Sequence, residues 1–160
     1  IVKTIRLVAP FFGDFHLRPT VTHPERIQLE WVEVGQDEPF TASALSDGTL
    51  RFICLVTVLL QPDEFMPATI LIDEPELGLH PFAIAKLAGM IKKASVHSQI
   101  ILSTQSVNLV DHFSADDIIV VNREDNQTVF KRQSEESLKA WLEEYSIGEL
   151  WEKNVIGGRL

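Results

Sequence analysis

The sequence predicts an α/β domain built mainly on a parallel sheet with flanking helices, and three observations predict it. Two short isoleucine-rich runs, "ATILID" (residues 68–73) and "QIILST" (99–104), end abruptly in polar or charged residues, as strands buried in a parallel sheet do. A helical pattern opening at Pro81 lies between them. A second, strongly apolar helical pattern precedes the first run. Strand, helix, strand, helix, strand with short connections is the order such a sheet requires.

Taken in order, the first 45 residues read as irregular, with Pro10, Pro19, Pro24 and Pro39 as breakers. Within them "RIQLEWVEVG" alternates well enough to predict one strand ending near Gly35. "SDGTLRFICLVTVLLQP" predicts a helix capped by Ser46 or Asp47 and stopped by Pro62. After "ATILID", Pro81 starts a helix with Ile84, Leu87, Ala88 and Ile91 on one face. "QIILST" is the second strand and "SVNLVDHF" a short helix. "DDIIVVNREDNQTVFKR" predicts two strands joined by a polar turn at residues 124–127. "SEESLKAWLEEYSIGELWEK" closes the chain as one or two helices, with Ser134 capping and Leu138, Trp141, Leu142 and Tyr145 inward.

The bulk properties exclude several functions. The 160 residues are 45% hydrophobic, which suits one domain with a sizeable core. The net charge is −9, whereas a nucleic-acid binder needs a basic face; contact with DNA would fall to regions outside this chain. The single cysteine, Cys54, rules out an internal disulfide and reads as a small buried apolar residue. The longest apolar run, residues 52–60, is far shorter than the roughly 20 residues that span a bilayer. No signal-peptide pattern is visible, so the cytoplasm is the expected compartment. The chain begins mid-pattern without an initiator Met and reads as the cut edge of a longer protein.

Chemistry concentrates in "ILIDEPELGLHP", residues 70–81. Asp73 and Glu74 place two negative charges side by side where a buried strand ends, which is costly unless something positive sits there. Ligands of parallel sheets gather at the carboxyl ends of strands. Ser103, Thr104, Gln105 and Ser106 end the next predicted strand, so the two ends would share one crevice if the strands pair. Mg2+ takes oxygen ligands from one or two carboxylates plus substrate phosphates, and a nucleotide carrying Mg2+ would supply the missing charge. The plain alternative is an Asp-Glu-Pro that ends a strand on a solvated loop.

Order and spacing favour the first reading. "LSDGTLR" (residues 45–51) resembles the signature motif of ABC-type ATPases in the form used by SMC-like and AAA-21-type ATPases. "ILIDEPELGLHP" resembles their Walker B motif and D-loop, and "ILSTQS" (101–106) their switch segment. "ADDIIVV", the polar hairpin and the closing "YSIGELWEKNVIGGRL" resemble the segments after the switch in the same class. The resemblance covers about residues 40–160 and implies a partial ABC-type nucleotide-binding domain that uses ATP and Mg2+. It implies that Asp73 holds Mg2+ through a water and that Glu74 is the general base. Ser46, Asp47, Gly48 and Thr49 would meet a γ-phosphate at a helix start, which suits an anion; Ser46 taken alone reads first as an ordinary helix cap. Residues 77–79 would face the opposite protomer of an ATP-sandwiched dimer. His80 reads as a structural or interface residue and not as a metal ligand, and the remaining histidines show no ligand spacing.

Two departures from the family pattern stand out. Many ABC-type ATPases end the switch in His, and the matching residue here is Gln105, which can hydrogen-bond a water or phosphate but carries no charge. No G-x-x-x-x-G-K-[ST] loop occurs in the chain, and that loop is what cradles the phosphates. The expectation is therefore the carboxyl-terminal part of a dimeric ATPase, inactive by itself. The competing readings are a non-catalytic module docking on another ATPase and a Toprim-like nuclease. Against the nuclease, Asp116 and Asp117 precede a strand instead of ending one.

Overall fold

Capping side chains mark where the helices after the first begin, and the strands between them set what the helices cover. The computed structural model describes residues 1–20 and 22–158. They form two units, Ile1–Ile101 and Leu102–Leu160.

The first unit starts with helix α1 (Val2–Val8) and a three-stranded antiparallel sheet, β1 (Phe12–Pro19), β2 (Ile27–Glu33) and β3 (Phe40–Thr41), in that order. Only β2 is legible as a strand in the sequence. α1 has no side-chain cap, and β1 is rich in polar residues because it is half exposed. Pairing supplies what pattern lacks: Phe15 sits opposite Trp31, and a bulge falls between Phe12 and Asp14. At that bulge Gly13 passes so close to β2 that a Cβ would lie 2.9 Å from the Glu33 carbonyl carbon. The Arg6 Nε of α1 donates to the Phe12 and Gly13 carbonyls at 3.0 and 3.1 Å. Phe12 stacks on Trp31 at 5.7 Å between ring centroids, which anchors this sheet's apolar side.

Helix α2 (Asp47–Leu59) is capped by Ser46, whose hydroxyl accepts from the Thr49 amide at 3.2 Å. It packs against α1 and α3 (Pro81–Ala94) and buries Phe52, Ile53, Leu55, Val56 and Leu59. Strand β4 (Thr69–Asp73) pairs with β5 (Gln99–Ser103), and this βαβ pair is the parallel part of the fold; the other two sheets are antiparallel. Two expectations change here. Burial of β4 alternates, with Ile70 inside and Leu71 74% exposed, and Ile101 of β5 is 49% exposed. The pair is therefore covered on one face, where full burial was expected. Cys54 is exposed, not buried. It sits on the side of α2 opposite Phe52, Val56 and Leu59, with Thr57 as its exposed neighbour.

The second unit holds α4 (Val107–Val110), the hairpin β6 (Ile119–Glu124) and β7 (Gln127–Arg132), α5 (Glu135–Leu142) and α6 (Ile147–Glu152). The third strand of the expected series thus pairs with its own hairpin partner. Asp125 and Asn126 take the turn with φ of 47° and 63°, the left-handed pair that a two-residue hairpin needs. Ser134 caps α5, and Ser146 with Glu149 forms a capping box on α6. Leu138, Ile147, Leu150 and Ile156 form the core with Val110 and Val120, and Leu142 and Tyr145 pack against it. Trp141, expected inward, is 48% exposed; α5 is two turns long and offers its inner face to Leu138 and Leu142. Arg159 and Leu160 of the closing segment lie outside the described residues.

Candidate active site

β4 ends at Asp73, and the chain turns sharply at the next residue. Glu74 has φ of 42°, a left-handed backbone that residues with a Cβ avoid. Leu77 N–H donates to the Glu74 carbonyl at 3.2 Å and Leu79 N–H to the Glu76 carbonyl at 2.9 Å. Gly78, with φ of 78°, completes the turn without strain. His80 then caps α3: its Nδ1 accepts from the Phe82 amide at 3.2 Å, and Pro81 takes the first helical position. The structural reading of His80 holds. His80→Ala is expected to cost about 1 kcal/mol, the usual value of a lost cap, and His80→Asn to restore it; thermal unfolding measures both.

The signature-like helix start reaches this turn from within the same unit. Gly48 lies against Gly78 so closely that a Cβ on Gly48 would fall 3.1 Å from the Gly78 carbonyl carbon and nearer still to its oxygen. The Arg51 Nη1 donates to the Glu74 carbonyl at 3.0 Å. Ser46 and Thr49 share a hydroxyl contact at 2.9 Å, so Ser46 caps its helix as the plain reading predicts. Asp47 stands in the first turn, where its charge favours the helix dipole.

Asp73 is exposed and Glu74 half-buried, so water offsets part of the repulsion that the sequence suggests. Among the described residues no three His, Cys, Asp or Glu side chains converge on one point. The donor set at this turn is thus two adjacent carboxylates, which fits a hard cation completed by phosphate oxygens and water.

Of the switch-like segment, Ile101 ends the first unit and residues 102–106 belong to the second. Thr104 Oγ1 accepts from the Ser106 amide at 3.0 Å, and Ser106 Oγ caps α4 by accepting from Leu109 N–H at 3.3 Å. Gln105 between them is exposed. Of the seven residues singled out in the sequence, Ser46, Asp47, Gly48, Thr49, Asp73 and Glu74 fall in the first unit and Gln105 in the second. Sequence reading missed Arg51. Its signal was a lone arginine inside "LSDGTLR", at the head of an otherwise apolar helix.

Residues 5–111 match the family model described as "AAA domain, putative AbiEii toxin, Type IV TA system". The chain belongs to this AAA family. Its fold is also that of SMC ATPase heads. A structure from work on ATP-driven dimerization and DNA-stimulated activation of SMC ATPases is 23% identical, with a TM-score of 0.59 and 89% of each chain covered. An Smc head bound to the C-winged helix domain of ScpA is 21% identical with a TM-score of 0.67. The Smc head with an extended coiled coil bound to the C-terminal domain of ScpA, from Pyrococcus furiosus, is 24% identical with a TM-score of 0.65. The chain spans 42% and 36% of these last two. No curated protein matches it in sequence. Among the described residues of this AAA-family chain, no helix is long and apolar enough to cross a membrane.

Proposed function

We propose that this chain supplies the hydrolytic and partner-facing parts of a cytoplasmic ATPase switch, in which two heads close around ATP and open on its hydrolysis. One observation carries the reading. The signature-like helix start and the Asp73-Glu74 turn are in direct contact, Gly48 on Gly78, as they would be if both worked in one cycle.

In this reading Asp73 binds Mg2+ through water. Glu74 takes the proton of the attacking water, a role worth typically 10²–10⁴ in rate. Gln105 serves as the switch residue, able to hydrogen-bond a water or a phosphate oxygen without carrying charge, and residues 46–49 meet the γ-phosphate of ATP held by the partner head. The Ser46 and Thr49 hydroxyls and the first amides of α2 are the donors there. Mg2+, when bound, would offset phosphate charge during the transfer. The phosphate-cradling loop comes from outside these 160 residues, so the chain alone neither holds ATP tightly nor hydrolyses it. The open β4–β5 face, with Leu71 and Ile101 exposed, supports a larger domain. A DNA or nuclease partner would likewise engage through other regions, given the charge of −9.

The test is association of the full-length protein with and without Mg-ATP, followed by light scattering. The expected result is an ATP-dependent dimer in the wild type and none in Ser46→Arg, because the bulky cation fills the space of the γ-phosphate. ATP-dependent dimerisation that survives this change would remove the trans role of residues 46–49.

A further inference from the structure

We infer that Arg51 is a positioning residue for Glu74, and that through it the head of α2 governs where the base points. The inference rests on the proposed ATPase function and assigns a residue that this function does not yet use.

Three observations meet at one loop. Glu74 sits in a backbone conformation disfavoured for any residue with a Cβ, φ of 42°, and such outliers persist only where surrounding contacts over-determine them. The contacts are visible: the Glu74 carbonyl accepts from Leu77 N–H at 3.2 Å and from Arg51 Nη1 at 3.0 Å. The second of these comes from 23 residues away and is a hydrogen bond from a charged donor, the stronger kind.

Gly48 and Arg51 are three residues apart in one helix and so share a face. Gly48 abuts Gly78, where the loop closes, and Arg51 holds the carbonyl of Glu74, where it opens. One helix face thus grips both ends of residues 74–78. The carbonyl that Arg51 holds belongs to the peptide following Glu74, and fixing that peptide fixes the residue that carries the carboxylate. Any shift of the α2 amino end, the element placed against the partner's ATP, is transmitted to the base of the same chain.

A base displaced by about 1 Å loses on the order of 10²-fold in rate without losing its substrate. In the full-length protein, Arg51→Met and Arg51→Gln are expected to lower kcat for Mg-ATP hydrolysis by about 10–100-fold, with KM for ATP within about twofold. Gln keeps a polar head but is too short to reach the carbonyl. Arg51→Lys, which keeps a charged donor, is expected to lie above both. The inference is overturned by a kcat within about twofold of wild type in whichever neutral variant folds. It is equally overturned by a KM that rises as kcat falls, by a Lys variant no better than Met, or by loss of the folded protein in both neutral variants, which would make Arg51 structural. Glu74→Gln run alongside separates the two levels. If the wild type does not hydrolyse ATP, the ATPase reading itself fails; if Glu74→Gln hydrolyses it like the wild type, the base role of Glu74 fails; if Glu74→Gln is inactive while Arg51→Met is not, only the positioning role fails.

Discussion

Glu74→Gln in the full-length protein is expected to lower kcat for ATP hydrolysis by about 10²–10⁴-fold while ATP-dependent association persists. Glutamine matches glutamate in size and keeps an oxygen that accepts hydrogen bonds, but at neutral pH it cannot take a proton. The half-buried side chain would then keep its place in the turn, whose backbone is held by Arg51 and the Leu77 amide. Asp73, one residue earlier and more exposed, should behave differently. On the proposed reading, in which Asp73 holds Mg2+, Asp73→Ala is expected to weaken Mg-ATP-dependent association as well as hydrolysis. Phosphate release read beside light scattering separates the two losses. An association lost in Glu74→Gln would mean that its carboxylate holds the dimer together; a kcat near that of the wild type would mean that it is no base.

How much of this was legible in the sequence depended on whether the signal was local. The caps at Ser46 and Ser134 and the helix start at Pro81 arise from side chains within one turn of the element they govern. The Asp125-Asn126 hairpin is legible for the same reason. β1 and α1 were illegible because tertiary contacts make them: register with β2, stacking on Trp31, and Arg6 on the Phe12–Gly13 bulge. Cys54 and Leu71 misled because an apolar run carries no record of which face will be covered. At the site, residue types and their order were enough to single out residues 46–49 and 73–74. That Gly48 and Arg51 reach the turn across 23 to 30 positions of chain needed the fold.

Gly48→Ala is expected to cost about 1–3 kcal/mol, the range for forcing an extra carbon into a packed place, and to lower ATP-dependent association and hydrolysis together. Two effects compete. Alanine is the better helix former by roughly 1 kcal/mol, though at the first turn of α2 little of that gain applies. Against it, the new Cβ would stand 3.1 Å from the Gly78 carbonyl carbon and inside normal contact with its oxygen. Those atoms are backbone and cannot rotate aside, so either the helix start or the loop must move. Gly78→Ala fails for another reason. Its Cβ would meet Gly48 Cα at an ordinary 3.5 Å, but its φ of 78° is a conformation that alanine disfavours by roughly 1–2 kcal/mol. The two positions should therefore part company under asparagine, which tolerates the left-handed region. Gly78→Asn is expected to recover much of the stability lost in Gly78→Ala, whereas Gly48→Asn falls below Gly48→Ala because the side chain is larger. Thermal unfolding of the four variants reads this directly. Wild-type stability in Gly48→Ala would show that the loop yields freely, and a loop that yields freely could not carry a signal from the partner's ATP to Glu74.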